Sequence, residues 1–311
     1  MVAEYHSSVL VEQVVAALAP ERGRLFCDLT CGDGGYTLAL LKRSPQAKVA
    51  AIDQDEEALR RAQARLADYA ERVVFIRGNF RDLETLLRPY GFKDLDGIMC
   101  DLGVSMLQIS SPMRGFMFSA DGPLDMRMSR DNPLTAADLV ARLSEEELAD
   151  IIYKYGEERQ ARRIAAEIVR ARQRKPLQMT ADLAAAVKKA VGGKFLIKSL
   201  ARVFQSLRIY LNDELGALEA MLPQALALLK IGGRMAIVDY HSLEARVIKD
   251  FMLRESSPCT CPADLPVCVC GKKPRIRIVH RQVKPSPAEI AANPGARSAR
   301  LRVFEKIGNE A

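Results

Sequence analysis

The chain has 311 residues, of which 49% are hydrophobic, 27% charged and 6% aromatic, a composition that excludes a disordered, collagen-like or filamentous protein. No run of 18 apolar residues occurs, and the opening MVAEYHSSVLVEQ carries Glu4 and Glu12 with no basic segment, so neither a membrane span nor a signal peptide is expected and a cytoplasmic location follows. The net charge of +7 is local: residues 271–302 hold nine basic side chains and one acid, Glu289, which leaves the remainder near neutral. Such a window suits a phosphate-backbone partner or, more simply, a solvated tail.

The predicted elements begin with a short apolar run, Arg24 to Thr30, that ends in the Gly-rich loop Cys31 to Gly35. A helix carrying Leu38 and Leu41 follows, then a second strand, Lys48 to Ile52, closed by Asp53. Ala58, Leu59, Ala62, Leu66 and Tyr69 recur at helical spacing. Val73 to Ile76 and Asp96 to Cys100 read as a third and a fourth strand, the latter ending at Asp101. Alternating strands and helices of these lengths predict a mostly parallel, doubly wound α/β sheet.

From Met106 to Asn212 the pattern is helical only. Ser144 to Glu147 is a capping box, Glu157 and Glu158 are expected to open a helix closed by Arg170, Arg172 and Arg174, and Thr180 begins another. The strand pattern resumes at Arg234 to Val238, after a helix over Leu215 to Leu229 and a turn at Gly232-Gly233. Ile276 to Val279 and Leu301 to Lys306 are expected as two antiparallel edge strands. The expected domains are therefore a discontinuous α/β domain, 1–105 and 213–311, interrupted by a helical insertion, 106–212, that recognises substrate.

Asp28-Leu-Thr-Cys-Gly-Asp-Gly-Gly35 lies between a strand and a helix, where glycines let backbone approach a ligand. Asp53 follows 18 residues after Gly35, the place for a carboxylate that takes ribose hydroxyls. Together these point to an adenosine site. A dehydrogenase would want a glycine where Thr37 stands. Asp28 and Asp33 would repel a pyrophosphate but suit the ammonium and sulfonium of S-adenosylmethionine. Asp101 and, a little on, Gln108 follow the fourth strand, where such sheets place ligand chemistry.

Several segments closely resemble the RsmH (MraW) family of bacterial ribosomal-RNA cytosine-N4 methyltransferases over nearly the whole chain. They are Tyr5-His6, DLTCGDGGYT, AIDQD, CDLGVS, RGFMFSADGPLDMRM, YGEER, FQSLRIYLNDEL, HSLEARVIK and NPGARSARLRVFEK. The resemblance implies a class I (Rossmann-like) methyltransferase fold with a helical insertion, S-adenosylmethionine as cofactor, and a cytidine of the 16S rRNA decoding region in the small ribosomal subunit as substrate. Carried over position by position, the donor contacts are Gly34, Gly35, Tyr36, Asp53, Phe80, Asp101 and Gln108. The chain departs from the family pattern at Tyr36 (usually His), Met106 (Ser), Lys198 to Ala201 (Pro-Ala-Thr before the Arg), Tyr240 (Phe) and Ala245 (Asp).

Methyl transfer to an exocyclic amine needs in-line positioning and an acceptor for the amine proton. Asp101 is the first candidate and His241, after the fifth strand, the second. Cys27, Cys31 and Cys100 read as core thiols. Cys259-x-Cys261 and Cys268-x-Cys270 place four thiols in 12 residues, which suits tetrahedral zinc, although the spacing is CxC rather than CxxC and the expectation is a loop without metal. The competing function is a non-catalytic RNA-binding assembly factor with a relic donor pocket; a small-molecule methyltransferase would need neither insertion nor basic tail.

Overall fold

The computed structural model describes residues 8–193, 195–259, 261, 267 and 270–308. Tyr5, His6 and Cys268 lie outside the described residues. The chain divides into two compact units, one formed by Met1–Gly103 with Leu215–Ala311 and the other by Val104–Glu214.

In the first unit, helix α1 (Val11–Leu18) precedes β1 (Leu25–Asp28), α2 (Gly35–Arg43), β2 (Lys48–Asp53), α3 (Glu56–Arg65), β3 (Val73–Arg77), α4 (Leu83–Leu87) and β4 (Leu95–Asp101). Among the described residues seven strands form one sheet in the order β3-β2-β1-β4-β5-β7-β6, where β5 is Leu229–Asp239, β6 Ile276–Val283 and β7 Arg300–Lys306. The first five are parallel, and β7 runs antiparallel to both β5 and β6. The parallel strands are apolar on both faces because both faces are covered. Phe26, Val49, Ala51, Met99, Ala236 and Val238 pack on one face with Leu40 and Leu41 of α2. Their neighbours Cys27, Ala50, Ile52, Ile98, Cys100 and Ile237 pack on the other. The period of two in the strand sequences is this division.

The second unit holds α5 (Met106–Ser110), α6 (Ala136–Arg142), α7 (Glu145–Gly156), α8 (Ala161–Arg174), α9 (Thr180–Val191) and α10 (Leu196–Asn212), around its own core of residues such as Leu148, Ile152, Ile164, Ile168, Leu183, Val203 and Leu207. Ser144 caps α7 through a capping box with Glu147, as its sequence predicts. Glu157 and Glu158 do not open α8. Glu157 ends α7 in the left-handed region (φ 49°), and Glu158, buried, accepts the Ser199 hydroxyl at 2.9 Å and pairs with Arg202 at 3.5 Å. Arg172 donates to the carbonyls of Val140 and Leu143, at 2.5 and 2.6 Å, and so satisfies groups at the end of α6.

The chain then returns through α11 (Glu214–Leu228) to β5, and α12 (Ser242–Ser256) and α13 (Pro287–Ala292) complete the helices. The C-terminal strand β7 is interior to the sheet, not an edge, because β6 pairs along its far side. That position changes the meaning of the basic tail. Arg302 is buried and its Nε donates to Asp239 Oδ2 at 2.6 Å. Arg277 pairs with Glu305 at 2.6 Å, and Arg275 with Glu255 at 2.6 Å. Three of the nine basic side chains are thus matched by carboxylates that lie outside the 271–302 window.

Breaking a buried pair strands the remaining charge, which costs about 3–5 kcal/mol. Arg302→Gln is therefore expected to lower unfolding free energy by that order, whereas exposed Arg297→Gln stays within about 0.5 kcal/mol. Urea denaturation of both variants checks this; equal, small losses would refute the buried pair.

Candidate active site

The Gly-rich loop starts where β1 ends. Asp28 is fully buried and accepts the Thr37 hydroxyl at 2.7 Å and the Thr30 N–H at 3.3 Å. Thr37 lies in the first turn of α2, so this bond joins strand end to helix start; a hydroxyl stands where a dinucleotide fingerprint has close-packed glycine. Gly34 is the N-cap of α2 with φ 85°, a conformation that favours glycine, and a Cβ there would press on Leu66 Cδ1 at 2.9 Å. Gly32 also has positive φ (54°), but its Cβ direction is open apart from the Thr30 carbonyl at 4.0 Å.

Asp53, at the end of β2, takes the Gly32 N–H on Oδ2 at 2.8 Å and the Asp55 N–H on Oδ1 at 2.9 Å. The expected ribose ligand is thus also the strut that holds the loop. Asp101, at the end of β4, takes the Tyr240 hydroxyl on Oδ1 at 2.8 Å and stands 3.2 Å from the Tyr36 hydroxyl on Oδ2. Its N–H donates to Thr30 Oγ1 at 2.7 Å. Tyr36 is buried on α2, and its hydroxyl also reaches the Val9 carbonyl at 2.5 Å. The single hydroxyl proton cannot serve both acceptors fully.

Because β2, β1 and β4 are adjacent, these three carboxylates gather at one end of the sheet. Burial pushes the Asp28 carboxyl up to about 7 against its bonds from Thr37 and Thr30, with Asp53 adding repulsion. Burial likewise raises Asp53 to about 6 despite its backbone donors. Asp101 rises to about 7, burial and the charges of Asp28 and Glu244 outweighing the bonds from Tyr240 and Tyr36. The Tyr240 and Tyr36 hydroxyls are held well above their ordinary range, first by burial and then by the Asp101 charge, so both remain donors. An acidic cluster of this kind favours a cationic ligand and a carboxylate that exchanges a proton near neutrality.

The other expected residues separate into different roles. Phe80 follows β3, half-buried, at the start of a 3-10 turn capped by Asn79, and packs against the core on its side of the sheet. Gln108 belongs to the helical unit, where it is buried and completes a capping box with Ser105. Asp33 pairs with Arg65 at 2.7 Å, so its charge is matched within the protein. His241 is the N-cap of α12: Nδ1 accepts the Glu244 N–H at 3.4 Å, and Nε2 stands 3.1 Å from Glu244 Oε1. Glu244 Oε2 in turn accepts the N–H groups of Tyr240 and His241. Among the described residues no hydrogen bond joins His241 to Asp101. Tyr240 is the partner of Asp101 that the sequence reading missed. Its signal is positional: it directly follows β5, whose Val238 is in register with Asp101.

Residues 3–307 match the MraW methylase family. Proteins named ribosomal RNA small subunit methyltransferase H are similar along their whole length. That of Carboxydothermus hydrogenoformans is 44% identical over 305 residues, covering 97% of this chain and 98% of its own. That of Syntrophotalea carbinolica is 46% identical over 307 residues, covering 97% and 98%. That of Symbiobacterium thermophilum is 46% identical over 314 residues, covering 99% of each chain.

Removing the Tyr240 hydroxyl removes a donor that favours the charged form of Asp101. Tyr240→Phe is therefore expected to move the Asp101 midpoint further to the alkaline side of about 7. A carbon-13 titration of the aspartate carboxyl groups reads this shift; a midpoint that stays put would show that the hydroxyl does not set the charge of Asp101.

Proposed function

The chain belongs to the MraW methylase family, and from that we propose that it transfers a methyl group from S-adenosylmethionine to the N4 amine of a cytidine in the decoding region of 16S ribosomal RNA. The observation that carries this reading is the gathering of Asp28, Asp53 and Asp101 beside the Gly-rich loop, with carboxyl groups raised to about 7, 6 and 7. Anionic sites that burial disfavours are relieved by a cation, and the donor carries a sulfonium and an ammonium. The open side of Gly32 admits a ligand against loop backbone. Gly34 and Gly35 would line the donor, Asp53 would hold its ribose with lone pairs left beside the two backbone bonds, and Phe80 would wall the adenine. Tyr36 would act through its hydroxyl on Asp101.

When bound, S-adenosylmethionine supplies an electrophilic methyl group on sulfur. The protein's task is to hold the cytosine amine in line and to take up its proton. Asp101 is the acceptor in this reading: a carboxyl near 7 is charged often enough to accept and basic enough to be useful. Tyr240 and Tyr36 orient it, and His241 with Glu244 fixes the backbone that carries Tyr240. His241 is thus a positioning residue rather than a second acceptor. A carboxyl raised to about 7 that accepts the Tyr240 hydroxyl and stands 3.2 Å from that of Tyr36 supports the catalytic reading over a non-catalytic one.

The phosphate footprint is narrower than the charge window suggests. Arg275, Arg277 and Arg302 are committed to carboxylates. Exposed Lys273, Arg281, Lys284 and Arg297 remain for RNA, together with exposed Arg162 and Arg163 on α8. No helix of the described residues is long and apolar enough to cross a membrane.

With labelled donor and small subunits from cells lacking the activity, the expected product is N4-methylcytidine, identified after nuclease digestion. Asp101→Ala is expected to lower turnover roughly 100-fold or more, the scale of proton-transfer help plus lost positioning. Intact turnover in a folded variant would place the acceptor elsewhere.

Deprotonated carboxylates attract the sulfonium, so donor affinity should rise between about pH 5.5 and 8, by up to about tenfold per pH unit for each proton released. S-adenosylhomocysteine, which lacks that charge, should show a flatter dependence. Calorimetry with both ligands checks the difference; parallel pH profiles would rule out an electrostatic role for the cluster.

A further inference from the structure

We propose that Cys259, Cys261 and Cys270 form a structural zinc site that clasps the connection between α12 and β6. The three sulfurs lie within 4.8 Å of one another. Cys259 Sγ and Cys270 Sγ are 3.7 Å apart. Two thiolates bound to tetrahedral zinc at about 2.3 Å stand about 3.8 Å apart, so this pair is already at ligand spacing. It is far from the roughly 2.05 Å of a disulfide. The sequence repeats CxC at both ends of the loop, and Cys268, the remaining thiol of that pattern, lies outside the described residues.

The surroundings suit a metal. The Cys261 N–H donates to Cys259 Sγ at 3.3 Å, a bond that withdraws charge from a thiolate and orients it. Ser257 accepts the Cys259 N–H at 3.3 Å and donates to the Cys259 carbonyl at 2.6 Å, which fixes the first ligand's backbone. The Lys272 ammonium donates to the Arg254 carbonyl, and the Arg275 N–H to the Glu255 carbonyl at 2.8 Å. The two ends of the connection are therefore held together before any metal enters, and the thiols sit at its base.

Binding changes no oxidation state. Each thiol loses its proton to solvent, and each sulfur donates a lone pair to Zn²⁺. Cys27, Cys31 and Cys100 are buried, with thiols that burial holds well above their usual range, so they do not compete.

The test uses the full chain, purified reduced and without chelator. The expected result is about one zinc per chain that survives gel filtration, and intense thiolate-to-cobalt charge-transfer absorption when Co²⁺ replaces it. Cys259→Ser and Cys270→Ser should each weaken that absorption and lower metal retention at least tenfold, while the far-ultraviolet spectrum and donor binding stay unchanged. Absence of tight zinc and of cobalt charge transfer in the reduced protein would overturn the proposal. So would metal retention indifferent to both substitutions, or a Cys259–Cys270 disulfide in the reduced preparation.

Discussion

Three carboxylates at the ends of three neighbouring strands impose the main constraint on this molecule. A sheet covered on both faces leaves its strand ends as the place where polar groups can gather, and burial there penalises charge. Asp28, Asp53 and Asp101 are kept by donors drawn from different elements: Thr37 from α2, the Gly32 backbone from the loop, and Tyr240 from beyond β5. The shape of the Gly-rich loop and the start of α2 can each be traced to satisfying one of these groups. The acids are close enough to raise one another's pKa, so the protein alone satisfies them incompletely. Under the proposed function a positively charged ligand would complete the arrangement, which is where architecture meets chemistry.

Much of the parallel sheet was legible because buried strands and amphipathic helices leave periodic traces. β1 to β4, the glycine loop and the helical insertion all follow from local pattern, and the places of Asp53 and Asp101 follow from topology. Less legible were pairings between residues distant along the chain. Nothing local distinguishes Arg302, buried on Asp239, from Arg297, exposed a few residues away. The acidic pair Glu157-Glu158 looked like a helix start, yet one residue ends a helix and the other is buried against Ser199 and Arg202. His241 carried a catalytic signal by position, although its ring serves a capping box that steadies Tyr240. Tyr240 itself read as a departure from a family pattern, and only strand register brings it to Asp101.

The helical insertion is self-sufficient in one respect: its core is built from its own residues, such as Leu148, Ile164 and Val203. It is also contiguous in sequence, whereas the sheet unit is assembled from segments on both sides of it. The two units therefore differ in the sequence separation of their contacts, and local contacts form faster than distant ones.

The placement of β7 between β5 and β6 has a consequence for biosynthesis. Chain order delivers β5 (Leu229–Asp239) well before β7 (Arg300–Lys306), so the far edge of β5 stays unpaired until residues 300–306 are available to it. Unpaired edges template association with other chains. A product released early would keep its glycine loop and all three site carboxylates, yet lack the strand whose Arg302 neutralises Asp239. The arrival of β7 is thus the step that covers the far edge of β5, and a copy truncated before it leaves that edge open to association.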